Sequence, residues 1–138
     1  MKQPEFRFWH KEHKEMMIAD QLEWVHGILT FVMADHLHEA WCFKAHEVEL
    51  MQWTGLIDDV GQKIYDGDII LLDQTLFSAD KPKRCEVYWA GTDELHTAGW
   101  QLYCLPGING ERGGVMRGFE LGMYKVLGNK YGNPELMK

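Results

Sequence analysis

Three histidines and a cysteine, all able to bind zinc, fall between positions 36 and 46: His36, His38, Cys42 and His46. A zinc-protease helix of the form H-E-x-x-H needs two histidines one helical turn apart, with the intervening glutamate as general base. His38-Glu39 begins that pattern, but Cys42 stands where the second histidine belongs. The set also lacks a C-x-x-C pair, so exposed loop histidines beside a buried free thiol are the expected arrangement. His10, which ends EFRFWH, and His13, in the polar stretch KEHK that follows, are expected to be solvent-exposed turn residues.

Asp58, Asp59, Asp66, Asp68 and Asp73 are close enough in sequence to suggest a divalent cation, yet their spacing does not fit an EF-hand loop. Asp66-Gly67-Asp68 reads as turn chemistry, with Gly67 supplying an unusual φ and the carboxylates accepting nearby amides. The glycine-rich stretch 106–114, PGINGERGG, lacks the G-K-[ST] ending of a phosphate loop and is expected to connect strands. No serine sits in a nucleophile elbow, and no Cys–His pair has a recognisable spacing. These patterns point to no catalytic residue, no metal and no cofactor.

The elements that would carry these residues read mainly as strands. Phe6 and Phe8 alternate with Arg7, the period of a half-buried strand, and Met17-Ile18 can pair back across KEHK as an opening hairpin. A second hairpin is expected around 35–38, joining the run Ile28 to Met33 with EAWCFKA. A helix over 35–49 competes, because Leu37, Ala40, Trp41, Ala45 and Val48 also satisfy helical spacing and Asp35 can cap it. The alternating aromatics favour strands. Further on, an extended segment ends at Gly55, turn signals fill 58–61, and Asp66-Gly67-Asp68 leads into the apolar run Ile69–Leu72. Such a run between turns predicts a strand covered on both faces. Strands are also predicted at Cys85–Trp89, Trp100–Leu105 and Tyr124–Leu127, which together indicate a small barrel or sandwich.

A chain of 138 residues with a formal charge of −7 opposes the phosphate-neutralising surface that drives general nucleic-acid binding. Its one concentrated basic stretch, Lys81-Pro82-Lys83-Arg84, is expected to be a solvated loop. Cys42, Cys85 and Cys104 are odd in number and widely spaced, as reduced thiols would be. The longest apolar run, Gly27 to Ala34, is far short of the roughly 20 residues a membrane helix needs. The N-terminal stretch carries charges throughout and has no continuous apolar region of the secretory kind.

Three blocks, EFRFWHKEHKEMMIAD, LMQWTGLIDDVGQKIYDGDIILLD and KVLGNKYGNPELMK, resemble the YopX family of phage and prophage proteins in order and position. Residues 20–46 and 74–122 carry less of the likeness, and Trp53 stands where the family often has tyrosine. The resemblance implies a mainly β protein with a second half similar to an SH3-like barrel, encoded by a phage or prophage, without an established activity. On that basis a β-hairpin subdomain is expected over 1–50 and the barrel with its GNKYGNPEL tail over 51–138, together one compact unit. The signature residues are Trp53, Gly55, Leu56, Gly61, Ile64, Tyr65, Gly67, Asp68, Gly128, Asn129, Asn133 and Pro134. They are expected to support folding more than chemistry, and the tail to fold back onto the domain.

The expected function is therefore a non-enzymatic module in the host bacterial cytoplasm that binds a host or phage protein through an acidic, aromatic-bearing β surface. Nucleic acid and membrane are disfavoured as partners. Six Trp and five Tyr also raise the expectation of a homo-oligomer. The alternative is a small hydrolase or ligand-sequestering protein whose site forms at a subunit interface.

Overall fold

The alternation of Phe6, Arg7 and Phe8 does place a strand, and Phe8 becomes the centre of a core. In the computed structural model, which describes residues 4–36, 39–73, 81–90, 99–105, 114–116 and 123–137, the chain is mainly β. It divides into two compact units, Met1–Trp53 and Thr54–Lys138.

In the first unit, β1 (Phe6–His10) pairs antiparallel with β2 (Glu15–Ile18), setting Phe8 opposite Met17, and also with β6 (Val48–Ile57), which runs on past the unit boundary. A separate three-stranded antiparallel sheet consists of β3 (Gln21–Val25), β4 (Ile28–His36) and β5 (Glu39–Lys44) in that order. Phe8, Met17, Val32, Ala34 and Val48 form the core, with Leu22, Leu29, Trp41 and Phe43 packed against it. Complete burial of Phe8 contributes roughly 1.5–3 kcal/mol.

The competing helix over 35–49 does not form. Cross-strand pairs Val32↔Phe43 and Ala34↔Trp41 put apolar side chains on one buried face, which a strand achieves by simple alternation. Only a 3₁₀ turn, Ala45–Glu47, follows β5, closed by the Glu47 carboxylate accepting the Lys44 N–H at 2.8 Å. Strand β3 is an addition to the sequence reading. Leu22 and Trp24 alternate with Gln21 and Glu23, and His26 and Gly27, both at positive φ (51° and 78°), make the two-residue connection to β4. That backbone twist matches the twist of paired strands.

In the second unit, β7 (Lys63–Tyr65) neighbours β6, and five strands form an antiparallel sheet. Its order is β11 (Gly114–Met116), β10 (Gly99–Cys104), β9 (Lys83–Ala90), β8 (Asp68–Asp73) and β12 (Met123–Asn129). One face of the sheet packs Ile70, Leu72, Cys85, Val87 and Leu102 with Ile64, while Trp100, Tyr124 and Val126 close the margin. The run Ile69–Leu72 is covered on both faces: Ile69, pointing opposite to Ile70, is also fully buried. On its side lie Gly128, its partner on β12, and the C-terminal 3₁₀ turn Pro134–Met137, held by the Arg84 guanidinium donating to the Leu136 carbonyl at 3.1 Å.

Candidate functional site

Several of the signature residues, Gly61, Gly67, Asp68, Gly128, Asn129 and Asn133, lie in or beside turns whose backbone is fixed by hydrogen bonds. Between β6 and β7, the Asp58 carboxylate accepts the N–H groups of Val60 (3.0 Å) and Gln62 (2.8 Å) through one oxygen. Its other oxygen accepts the Val126 N–H of β12 at 3.1 Å. Asp59 N–H adds a bond to the Tyr124 carbonyl, and Gly61 completes the turn at φ 88°. Burial by itself pushes the Asp58 carboxyl up, but the N–H groups of Val126, Gln62, Val60 and Gly61 outweigh it and hold the pKa below the ordinary carboxylate value. Asp58 was grouped by sequence with candidate cation ligands, yet its oxygens are committed to the protein's own backbone.

The next turn joins β7 to β8. Buried Asp68 accepts the Tyr65 N–H at 2.8 Å, and Gly67 at φ 82° donates to the Val87 carbonyl and accepts from Lys130 N–H. Gly67 is thus bonded both to β9 and to the C-terminal tail. There the Asn129 side chain accepts the N–H groups of Tyr131 and Gly132, and the Asn133 side chain accepts the N–H of Asn129. Gly128 leaves room for this crossing, since a Cβ there would collide with the Asn133 carboxamide. Lys130 pairs with Glu86 at 3.3 Å. Burial lowers the pKa of the Lys130 ammonium, but the charges of Tyr131 and Glu86 more than offset this and keep it above its ordinary value. Pro134 opens the final 3₁₀ turn.

Among the remaining signature positions, Ile64 lies in the core and Tyr65 is buried. Gly55 has φ 86°, Leu56 is exposed, and Trp53 donates its N–H to the Glu5 carbonyl at 2.7 Å. The structure brings Gly67, Gly128, Asn129 and Asn133 together around one tail, while Trp53, Gly55 and Leu56 follow one another along β6.

The histidine and cysteine set is not gathered around a common point that the structure describes. Cys42 is exposed and not the buried thiol expected, because Trp41 and Phe43 on either side of it face the core; His46 is exposed, His38 lies outside the described residues, and no group of three metal-ligating side chains converges among those described. Stretch 106–113 of the glycine-rich loop also lies outside them, and Gly114 begins β11. His10 departs from the expectation of an exposed turn residue: it is 3% exposed. Its ring stacks on His13 at 4.1 Å and tilts against Phe43, while its Nδ1 accepts the His13 N–H at 3.0 Å. As the last residue of β1 it points inward with Phe8, a consequence of strand alternation that the polar neighbours KEHK obscured.

A surface of different character lies at the β3–β4 hairpin. Trp24 is 55% exposed, Val25 44% and Ile28 69%, all within the residues flanking the His26-Gly27 turn. The sequence signal for it was the period-two pattern of QLEWV followed by two residues tolerant of positive φ.

A family model described as YopX protein matches residues 5–138, running through the stretches 20–46 and 74–122 where the three blocks carry less of the likeness. Among solved structures, the chain is similar to protein EF1440 from Enterococcus faecalis, with TM-score 0.66 and 21% identity over 100% of both chains. It is also similar to protein yopX from Bacillus subtilis, with TM-score 0.61 and 18% identity over 97% of this chain and 98% of that one. No curated protein matches the chain.

Proposed function

The chain belongs to the YopX family, and from that premise we propose that it is a non-enzymatic protein-binding module acting in a host bacterial cytoplasm, encoded by a phage or prophage. The observation that carries this reading is the exposure of Trp24, Val25 and Ile28 at one hairpin, with Val25 and Ile28 paired on one face and Trp24 on the other. Large apolar side chains gathered in water cost solvation free energy and mark association surfaces. Among the described residues no helix is long and apolar enough to cross a membrane. The signature turns fit a supporting role, because Asp58, Asp68, Asn129 and Asn133 spend their acceptors on backbone N–H groups.

The test is copurification with the tagged chain from infected or lysogenic cells, comparing the parent with a Trp24→Ser/Ile28→Ser variant whose circular dichroism is unchanged. A protein recovered near one-to-one with the parent and lost from the variant is the expected result. Equal recovery on both, or on neither, overturns the reading.

A further inference from the structure

We propose that β3 is a docking edge for an extended segment of another protein carrying alternate basic and apolar residues, which adds to the three-stranded sheet beside β3. This inference rests on the protein-binding reading and specifies its site and the chemistry of its partner.

Its position, exposure and composition support it. Strand β3 lies at the edge of its sheet, and among the described residues it pairs with β4 alone. Alternate N–H and C=O groups of an edge strand point away from its neighbour and can be satisfied by an added strand. Four of its five residues are exposed in the pattern eieee, with only Leu22 partly covered. Of the usual protections of an edge, β3 lacks lysine and proline and carries a single charge, Glu23. The one irregularity in the β3–β4 pairing places the extra residue on β4: it is Thr30, whose hydroxyl donates to the Glu23 carbonyl at 3.0 Å.

The charge pattern defines the occupant. Between Lys14 and Lys44 there is no lysine or arginine, while Glu15, Asp20, Glu23, Asp35 and Glu39 fall in that interval. Of these, Glu23 is exposed on β3 and Asp20 is exposed immediately before it. Strand alternation puts Leu22 and Trp24 on one face and Gln21, Glu23 and Val25 on the other. An incoming strand is therefore matched by apolar residues beside Leu22 and Trp24 and by a cation beside Glu23. A second copy of the chain is a poorer match. A two-fold antiparallel pairing centred on β3 would set Glu23 directly against its own counterpart, and like charges opposite one another destabilise a strand pair. The same absence of cations disfavours a nucleic-acid backbone.

The probe is the capped peptide Ac-Lys-Val-Lys-Val-Lys-Val-Lys-NH₂, titrated into the full ¹⁵N-labelled chain and followed by NMR. Saturable shifts and slowed exchange at the amides of β3 are expected. Glu23→Lys should weaken the peptide about fivefold to tenfold, the reversal of one cross-strand charge pair. A peptide N-methylated at alternate residues should lose binding although its charge is kept. Equal binding of the Glu-for-Lys peptide, shifts confined to other strands, or no saturable shift at all would each overturn the inference. So would a doubled mass of the chain alone by light scattering that reverts in Glu23→Pro, because the edge would then belong to a second copy. If copurification yields a hairpin-dependent partner while the peptide fails at β3, the edge-pairing inference falls and the protein-binding reading stands. If copurification also fails, both fall.

Discussion

The Asp58 turn of one unit and the β3–β4 hairpin of the other end their strands in different ways. In Thr54–Lys138 the turns are fixed by side chains: Asp58 ties its own turn to Val126, Asp68 holds Tyr65, and Asn129 and Asn133 hold the tail. In Met1–Trp53 the β3–β4 hairpin relies on backbone conformation at His26 and Gly27, and its flanking apolar side chains stay in water. The second unit also exposes large apolar groups: Leu56, Ile57 and Val60 flank the β6–β7 turn that Asp58 fixes, Tyr103, Met123 and Leu127 lie on other strands, and Trp89 rests edge-on against Trp100 at 5.1 Å. The difference teaches where substitution should be costly. A carboxylate serving several backbone donors cannot be replaced without leaving them unsatisfied, whereas an exposed tryptophan on a self-sufficient turn contributes little to folding.

The largest effect is expected at Asp58. Asp58→Ala removes the acceptor for Val60, Gln62 and Val126, and should cost about 3 kcal/mol in denaturant unfolding. Amide exchange should quicken in β8 and β12 while amides around Phe8 and Val32 keep their protection. Equal loss of protection in both units would break the comparison, since the turn would then support the whole chain.

Gly67→Val should follow, at about 2 kcal/mol, because a β-branched residue is strained at φ 82°. Thermal unfolding of Gly67→Ala beside it sharpens the point: alanine should cost less than valine. An unchanged midpoint for valine, accompanied by loss of partner capture, would make this turn a recognition element instead.

A smaller, pH-dependent effect is expected from the same carboxylate. The folded pKa of Asp58 lies below its ordinary value of 3.8, so its contribution is fully present above that value and is lost as pH falls through the lower folded value. The stability difference between the parent and Asp58→Asn should therefore narrow below about pH 4. Parallel acid-unfolding curves that keep their separation to the lowest pH would show that the charge is not what the turn uses.

The smallest effect on stability belongs to the first unit's hairpin. Trp24→Ser/Ile28→Ser should change the unfolding free energy by about 0.5 kcal/mol or less per site while abolishing partner capture. A loss as large as that at Asp58 would erase the contrast and make the hairpin a structural element.

Alternation and turn chemistry along the chain were enough to mark β1, β8 and β12, because Phe6/Phe8, Ile69–Leu72 and Tyr124–Leu127 carry their signals within a few neighbouring residues. The three blocks likewise determined the family that the match over 5–138 shows. What sequence could not supply was the use made of each polar group. Asp58 is separated from Val126 by most of the second unit, so its role as a clamp appears only when the fold brings β12 to the turn. His10 looks like one more polar residue beside KEHK until strand pairing turns its ring inward, and Glu23 looks like any surface acid until β3 is found at a sheet edge. Local physics sets the direction of a strand and the shape of a turn. Which donors meet which acceptors, and which edge stays open, depends on long-range pairing that only the tertiary structure decides.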